Sequence, residues 1–301
     1  MAAPQPGIFA EGSVFHHFLE YDVKSPDGVA AVVACALASA DTVNVVVAFG
    51  AALWTKLGAG AVPADLRAFN GVVGAGDAAG RNAPATQRDM MVWVHGADRS
   101  DVFDLAMSVN RAMGAAGTLV LDLPGFMYHD SRDLTGFVDG SPNRSANPVG
   151  EDRAGVALIP DGQPGAGGAY VMSQKWIHDL ESFRVLPEGE QEGVIGRTKP
   201  DSIELEGDAM PPDSHVSRTD VKVDGVAYKM YRRSAPYGTV SERGLYFLAF
   251  TCDPIRFDVA LDRMYGVAPD GVHDRLIDYT DAVTGSYWFA PSQEALEAVG
   301  R

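Results

Sequence analysis

The sequence has few cysteines and lacks the motifs of cysteine-dependent sites. Cys35 and Cys252 are the only two among 301 residues, and neither lies in a CxxC or CxxCH arrangement. Zinc ribbons, iron–sulfur clusters and covalently attached c-type haem need such ligands, so all three are excluded. Two isolated thiols are most simply explained as core residues of a protein from a reducing compartment.

Long hydrophobic segments and basic runs are also missing. No apolar stretch is long enough to cross a bilayer, and the N-terminus has neither a basic region followed by an apolar segment nor a twin-arginine pair. We therefore expect no membrane partner and a cytoplasmic location. Lys and Arg total 24 against 40 Asp and Glu, which gives a formal net charge of −16. This acidity, with no Lys/Arg cluster, argues against nucleic acid as a partner.

The common catalytic motifs are absent as well. The chain contains no GxSxG, no P-loop, no GxGxxG that opens a helix and no HExxH. These absences weaken hydrolase, nucleoside triphosphatase, dinucleotide-binding and zinc-enzyme interpretations.

The hydrophobic pattern alternates between strand and helix periods. It predicts strands over residues 14–23, 43–50, 89–98, 118–126, 154–160, 169–180 and 244–253. It predicts helices over residues 27–40, where an Asp caps the helix, and over 101–115, 187–196 and 257–266. We therefore expect an α+β protein whose two halves, residues 1–128 and 153–301, carry antiparallel sheets that pack together. A polar crossing, residues 129–152, joins them.

Three local motifs carry residues with chemical potential. They are Gly136-Phe-Val-Asp139-Gly140, then Asp213-Ser-His215-Val, then Tyr231-Arg-Arg-Ser-Ala-Pro-Tyr-Gly238. Glycines on both sides of Asp139 permit a tight backbone and let a ligand approach the carboxylate closely. Taken singly, the three motifs have ordinary interpretations as a turn, a surface histidine and a strand end.

Together and in this order, the motifs resemble those of the dye-decolorizing peroxidase family. The Asp-to-His interval is 215 − 139 = 76 residues and the His-to-Arg interval is 232 − 215 = 17, which resemble those of the B-type branch. Residues 168–180, 195–199 and 283–291 match the family too. The resemblance therefore spans nearly the whole chain.

The resemblance implies two ferredoxin-like halves, with haem b bound non-covalently and mainly in the C-terminal half. The crossing, which carries the GxxDG motif, is expected to cover the distal face of the haem. It further implies that His215 binds the iron and that Asp139 and Arg232 are the distal catalytic groups. Asp274 is the first candidate for the acidic partner of the His215 imidazole, and Asp278 is the second.

Further residues are assigned by the same resemblance. Arg197 is expected to pair with a haem propionate. His178 is a second candidate for a propionate contact, although a buried structural histidine explains it equally well. Ser234 is expected to touch the distal water network.

The activity that the resemblance implies is reduction of hydrogen peroxide through a ferryl intermediate, with oxidation of phenolic or dye-like donors, by a homo-oligomer. An ionised aspartate is a poor acid near neutral pH, so an acidic optimum is expected. Two alternatives stay open: a non-catalytic haem carrier or sensor, and a protein that releases iron from haem. The Asp139/Arg232 pair argues against a carrier, because storage does not need a charged distal pair.

Overall fold

The N-terminal half alternates strands and helices much as its periodicity indicates. The computed structural model describes residues 2–39, 43–140 and 152–301. The elements of this half are β1 (Phe15–Val23), α1 (Pro26–Ala38), β2 (Asn44–Phe49), α2 (Ala51–Leu57), β3 (Val72–Val73), β4 (Asn82–Ala83), β5 (Met90–Gly96), α3 (Arg99–Met113) and β6 (Gly117–Phe126). Residue 40 of the predicted first helix lies outside the described residues.

Helix α1 begins at a different cap from the predicted one. Ser25, not an aspartate, is the N-cap, and its hydroxyl accepts a hydrogen bond from the backbone N–H of Asp27 at 3.4 Å. Pro26 occupies the first helical position, where its missing N–H costs nothing. The helix therefore starts one residue before the predicted start.

The C-terminal half repeats the arrangement with longer insertions. Its elements are α4 (Arg153–Ala157), β7 (Ala169–His178), α5 (Leu180–Arg184), α6 (Glu188–Ile195), α7 (His215–Thr219), β8 (Lys222–Val223), β9 (Val226–Ala227), β10 (Tyr231–Arg232), β11 (Ala235–Gly238), β12 (Arg243–Thr251), α8 (Ile255–Met264), β13 (Thr280–Ala282), β14 (Ser286–Ala290) and α9 (Gln293–Val299).

One predicted strand is wrong. Residues 154–160 were expected to be extended, but α4 covers Arg153–Ala157. The side chain of Asp152 accepts a hydrogen bond from the backbone N–H of Gly155 at 2.9 Å. This N-cap satisfies one of the free donors of the first turn, so the short apolar run coils rather than extends.

Both halves have the ferredoxin-like strand order. The order is β2-β5-β1-β6 in the first half and β11-β12-β7-β14 in the second, with antiparallel neighbours throughout. In the first half α1 follows the first strand, β1, and α3 follows the third, β5. In the second half the inserted helices α5, α6 and α7 follow β7, and α8 follows β12. The predicted α+β class, with two ferredoxin-like halves, is confirmed.

The two sheets join into one curved sheet. Phe289 of β14 pairs with Phe49 of β2. The strands at the two ends of the strand order, β6 and β11, also come close together. A Cβ atom added to Gly125 of β6 would lie 3.3 Å from the Cβ atom of Ala235 in β11. The sheet therefore curls around an interior whose large side chains include Phe18, Trp93, Tyr246 and Trp288. Helices cover its outer face, and none of those in the described ranges has the length and hydrophobicity to span a bilayer.

A carboxylate lies inside this curved sheet. Glu20, which is 2% exposed, accepts hydrogen bonds from the Tyr246 hydroxyl at 2.6 Å and the Ser173 hydroxyl at 3.2 Å. Trp288 Nε1 in turn donates to Ser173 Oγ at 2.9 Å. Burial raises the pKa of Glu20 above its ordinary value of 4.5, and the two hydroxyl donors oppose this shift only partly.

The raised pKa of Glu20 predicts a pH-dependent stability. Above pH 4.5 the unfolded chain releases this proton before the folded protein does, so the free energy of unfolding decreases by about 1.4 kcal/mol per pH unit until the folded pKa is reached. Glu20→Gln should remove this slope, and its stability relative to wild type should therefore rise between pH 4.5 and 7.5. Urea unfolding at both pH values measures it; parallel curves for the two proteins would contradict the prediction.

Candidate functional site

A cavity opens between the outer face of the C-terminal sheet and the helices that cover it. Side chains of β7, β12 and α8 form its apolar walls, among them Met172, Leu245, Phe247, Phe257 and Leu261. Its polar lining includes Asp139, Arg197, His215 and Arg232. The three motifs of the sequence, which are far apart in the chain, therefore meet at one cavity.

His215 is the first residue of α7, a short helix that the sequence did not predict. Ser214 is the N-cap, and its hydroxyl accepts a hydrogen bond from the backbone N–H of Ser217 at 3.2 Å. Further along, the buried Arg218 donates to both carboxylate oxygens of Asp270 at 2.8 and 2.9 Å and to the Arg263 carbonyl at 3.2 Å. These contacts fix α7 against α8 and so fix where His215 stands.

The imidazole of His215 is oriented by a carboxylate. Its Nδ1 lies 2.6 Å from Oδ2 of Asp274, which is fully buried, and the other carboxylate oxygen accepts a hydrogen bond from the backbone N–H of Leu276 at 2.9 Å. Within the described part of the chain Nε2 has no hydrogen-bond partner. An imidazole held through Nδ1–H presents the lone pair of Nε2, which is the arrangement of an axial metal ligand.

Asp139 reaches the cavity from the crossing segment, on a backbone that requires glycine. Gly136 has φ +93° and Gly140 has φ +62°, a region that other residues rarely adopt. The backbone N–H of Asp139 donates to the Ser131 carbonyl at 3.0 Å. Arg132 ties this segment to the second half, donating to the Lys199 carbonyl at 2.6 Å and the Pro200 carbonyl at 2.9 Å. Residues 141–151 of the predicted crossing lie outside the described residues.

Arg232 reaches the same cavity from β10, whereas its neighbour Arg233 turns away. Arg232 pairs with Ala249 of β12 and lines the cavity. The Arg233 guanidinium instead stacks 5.2 Å from the Trp93 ring centre, inside the curved sheet, and donates to the Ala10 carbonyl at 2.6 Å. The alternation of side chains along an extended strand explains the separation.

Asp139 and Arg232 act on each other electrostatically. Burial raises the pKa of Asp139 above its ordinary value of 3.8, while the charge of Arg232 opposes the rise. Burial likewise lowers the pKa of Arg232, and the Asp139 charge opposes that shift. A guanidinium stays protonated at any relevant pH. The carboxyl group is therefore the one of the two that can exchange a proton under working conditions.

The other residues assigned from the sequence are placed differently. Arg197 lines the cavity, but its guanidinium is paired with the Glu204 carboxylate and donates to the Ser202 carbonyl at 3.0 Å. His178 lines the cavity with both ring nitrogens engaged. Ser234 is not among the lining residues, and its hydroxyl accepts a hydrogen bond from the backbone N–H of Leu248 at 3.3 Å.

Asp133 is an acidic residue of the site that sequence reasoning missed. Its Oδ1 lies 3.0 Å from His178 Nε2, and the Thr135 hydroxyl and N–H bind its other oxygen. His178 Nδ1 lies 2.6 Å from the Thr280 hydroxyl. The pair connects the crossing segment to the end of β7. Burial by itself raises the pKa of Asp133. The His178 charge and these hydrogen bonds outweigh burial and lower the pKa of Asp133 to about 2.

The lowered pKa of Asp133 predicts an acid-sensitive contribution to stability. The shift from 3.8 to about 2 corresponds to about 2 kcal/mol. This contribution is present above pH 3.8 and disappears as the pH falls toward 2. Asp133→Asn should therefore lower the free energy of unfolding by about 2 kcal/mol at pH 7, by roughly half of that at pH 3 and by much less near pH 2.

Asp130→Asn is the matched control for this measurement. Asp130 lies in the same segment and pairs with Arg132, but its side chain is 64% exposed. Exposed ion pairs contribute about 1 kcal/mol or less. Equal losses for Asp130→Asn and Asp133→Asn at pH 7 would contradict the role assigned to the buried pair.

Comparison with known families matches nearly the whole chain. The family profile described as Dyp-type peroxidase, N-terminal, matches residues 5–127, and that described as Dyp-type peroxidase, C-terminal, matches residues 130–295. A dye-decolorizing peroxidase of Mycobacterium tuberculosis is 37% identical over 258 residues, which cover 84% of this chain and 75% of that protein.

Solved structures extend the likeness to the fold. A putative Dyp-type peroxidase from Shewanella oneidensis superposes with a TM-score of 0.89 at 33% identity, covering 100% of this chain and 98% of the other. DyPB of Rhodococcus jostii gives 0.88 at 34% identity, with 99% of each chain covered. Another solved structure is that of a DypB variant from the same organism in complex with haem, with a TM-score of 0.88, 33% identity and 99% of each chain covered.

Proposed function

Because this chain belongs to the Dyp-type peroxidase family, we propose that His215, Asp139 and Arg232 carry its peroxidase reaction. The observation that supports this assignment is their meeting at one cavity, with the imidazole already held by Asp274. The cofactor is haem, and the reaction uses hydrogen peroxide and a reducing substrate. A haem carrier or sensor does not need the charged pair Asp139 and Arg232, so the peroxidase reading is preferred over the alternatives.

The residues of the cavity suit a haem. The porphyrin has a flat apolar body, and the side chains of β7, β12 and α8 offer apolar walls for it. Its iron needs one neutral nitrogen ligand, which His215 Nε2 would supply. Its carboxylates need cationic or hydrogen-bonding partners. Arg197 lines the cavity, and its guanidinium, which is paired with Glu204, would bind one of these carboxylates as well. When bound, haem supplies the redox-active iron that exchanges electrons with peroxide and then with the reducing substrate.

Asp274 makes His215 a stronger donor. A carboxylate that accepts the Nδ1–H hydrogen bond increases the electron density at Nε2 and holds the ring plane. The full burial of Asp274 keeps water from competing for this proton. Asp274 is therefore a positioning residue, while His215 is the ligand.

Asp139 and Arg232 divide the work on peroxide. The Asp139 carboxylate takes the proton from one peroxide oxygen and returns it to the other, for which a pKa raised toward the working pH is favourable. Arg232 stabilises the negative charge that develops on the departing oxygen, because its guanidinium keeps its charge within a water-poor cavity.

We also propose the finer organisation that the family resemblance implies. The halves would be residues 1–128 and 153–301, with the crossing 129–152 carrying Asp139, and the chain would act as a homo-oligomer in the cytoplasm. The free cysteines Cys35 and Cys252 support a reducing compartment. Ser234 would contact distal water only indirectly, and His178 would hold the crossing rather than a propionate.

The distal assignment predicts the peroxide kinetics of two variants. Mixing haem-loaded chain with one equivalent of hydrogen peroxide should rapidly bleach the resting Soret band. We expect Arg232→Leu to slow this step by about 10²–10³-fold, since it loses charge stabilisation. Asp139→Asn should slow it by about 10²–10⁴-fold, since it loses the proton shuttle.

The pH dependence separates the two roles. As the pH falls through the raised pKa of Asp139, the carboxylate becomes protonated and can no longer accept the peroxide proton, so the wild-type rate should fall on the acid side. Asp139→Asn should lack this acid limb and Arg232→Leu should keep it. Arg243→Leu, a change at a surface ion pair with Glu181, serves as the control with an unchanged rate. A full rate in Arg232→Leu would overturn the distal assignment.

A further inference from the structure

Gln174 is a buried amide in the cavity wall whose nitrogen is not satisfied by the fold. Its side chain is 1% exposed, and among the described residues Nε2 has no hydrogen-bond partner. It is a lining residue of the cavity that His215 and Arg232 share. Nearly all buried polar groups in proteins have a partner, so an unpaired donor of this kind calls for one.

The strand explains why the amide faces the cavity. On β7, Met172, Gln174 and Trp176 point toward the cavity, whereas Val171 and Ser173 face the interior of the curved sheet. β7 is a central strand between β12 and β14, and Gln174 stands opposite Phe247. An apolar side chain would fill this place without leaving a buried donor unpaired, so packing alone does not account for glutamine here.

Neighbouring polar groups indicate what the amide meets. Arg197 and Arg232 line the same cavity, as do the carboxylates of Asp139, Glu204 and Asp220. The two guanidinium charges repel each other, so a compact anion between them would relieve that repulsion. Arg197 already serves Glu204 and Ser202, and both ring nitrogens of His178 are engaged by Asp133 and Thr280. Gln174 Nε2 is thus an unpaired donor, among the described residues, of a cavity that two cations also line.

We propose that Gln174 donates a hydrogen bond from Nε2 to an anionic acceptor of the molecule that occupies the cavity. The acceptor is either a carboxylate of the porphyrin or a small anion at the open coordination position of the iron. Both have the same chemistry, namely a compact negative charge that accepts an N–H donor. The inference rests on the haem site of the proposed function and adds to it a residue that none of the sequence motifs identified.

Three binding constants test the proposal. The full-length chain, prepared without haem, is titrated with haemin and with haemin dimethyl ester, in which the carboxylates are masked. The haemin-loaded chain is then titrated with sodium fluoride. Soret absorption reports each of the three titrations, and none of them depends on turnover.

Two substitutions and one control complete the design. Gln174→Leu removes the donor, and Gln174→Glu replaces it with a carboxylate that repels an anion. Lys175→Gln, the control, changes the next residue of the same strand, which pairs with Glu242 and is not among the residues that line the cavity. Far-UV circular dichroism and urea unfolding of each variant establish that it is folded before any constant is compared.

The expected change is a loss of about tenfold in one constant for Gln174→Leu, with a larger loss for Gln174→Glu and none for Lys175→Gln. If the acceptor is a porphyrin carboxylate, haemin binding weakens and that of the dimethyl ester does not. If it is a small anion, fluoride binding weakens instead.

If all three binding constants of both Gln174 variants stay within twofold of the wild-type values, this inference is overturned and the haem site is left intact. Failure of the wild-type chain to bind haemin would overturn the haem site and this inference together. The two failures are therefore distinguishable.

Discussion

The hydrogen bond between His215 Nδ1 and the buried Asp274 carboxylate is the contact on which the site depends. It fixes the proton on one ring nitrogen and leaves the other without a hydrogen-bond partner among the described residues, which is the state that the proposed ligand role of His215 requires. The carboxylate cannot turn away because its second oxygen holds the Leu276 N–H. Arg218 and Arg263 each donate to the other's carbonyl, at 3.2 and 3.1 Å, and so keep α7 seated on α8.

The positions of Asp139 and Arg232 at the cavity depend on contacts between distant segments. Asp139 belongs to the crossing, and Arg232 belongs to the sheet of the second half. Arg132 and the Asp133–His178 pair attach the crossing to that half. Left-handed backbone at Gly136 and Gly140 then turns Asp139 into the cavity. A proton-exchanging carboxyl and a permanent cation are thereby held at one place by separate structural elements.

Local patterns in the sequence predicted most of the fold, because strand and helix periods are properties of neighbouring residues. The same locality explains the errors. At 154–160 an apolar run indicated a strand, but the cap at Asp152 favours a helix, and His215 lies in a five-residue helix too short to show a period. For the site, ordered motifs led to His215, Asp139 and Arg232. Asp133 and Gln174 were missed, since Asp133 acts through a partner 45 positions away and Gln174 is notable only because nothing in the described structure satisfies it.

The central claim is that His215 provides the axial ligand of the haem, strengthened by Asp274. The resonance Raman spectrum of the ferrous, haem-loaded chain measures this directly, through the iron–histidine stretching band. We expect the band to shift to lower frequency in Asp274→Asn and to disappear in His215→Ala. It should be unchanged in His129→Asn, which alters an exposed histidine whose left-handed backbone (φ +49°) asparagine tolerates. An iron–histidine band that persists in His215→Ala would contradict the claim.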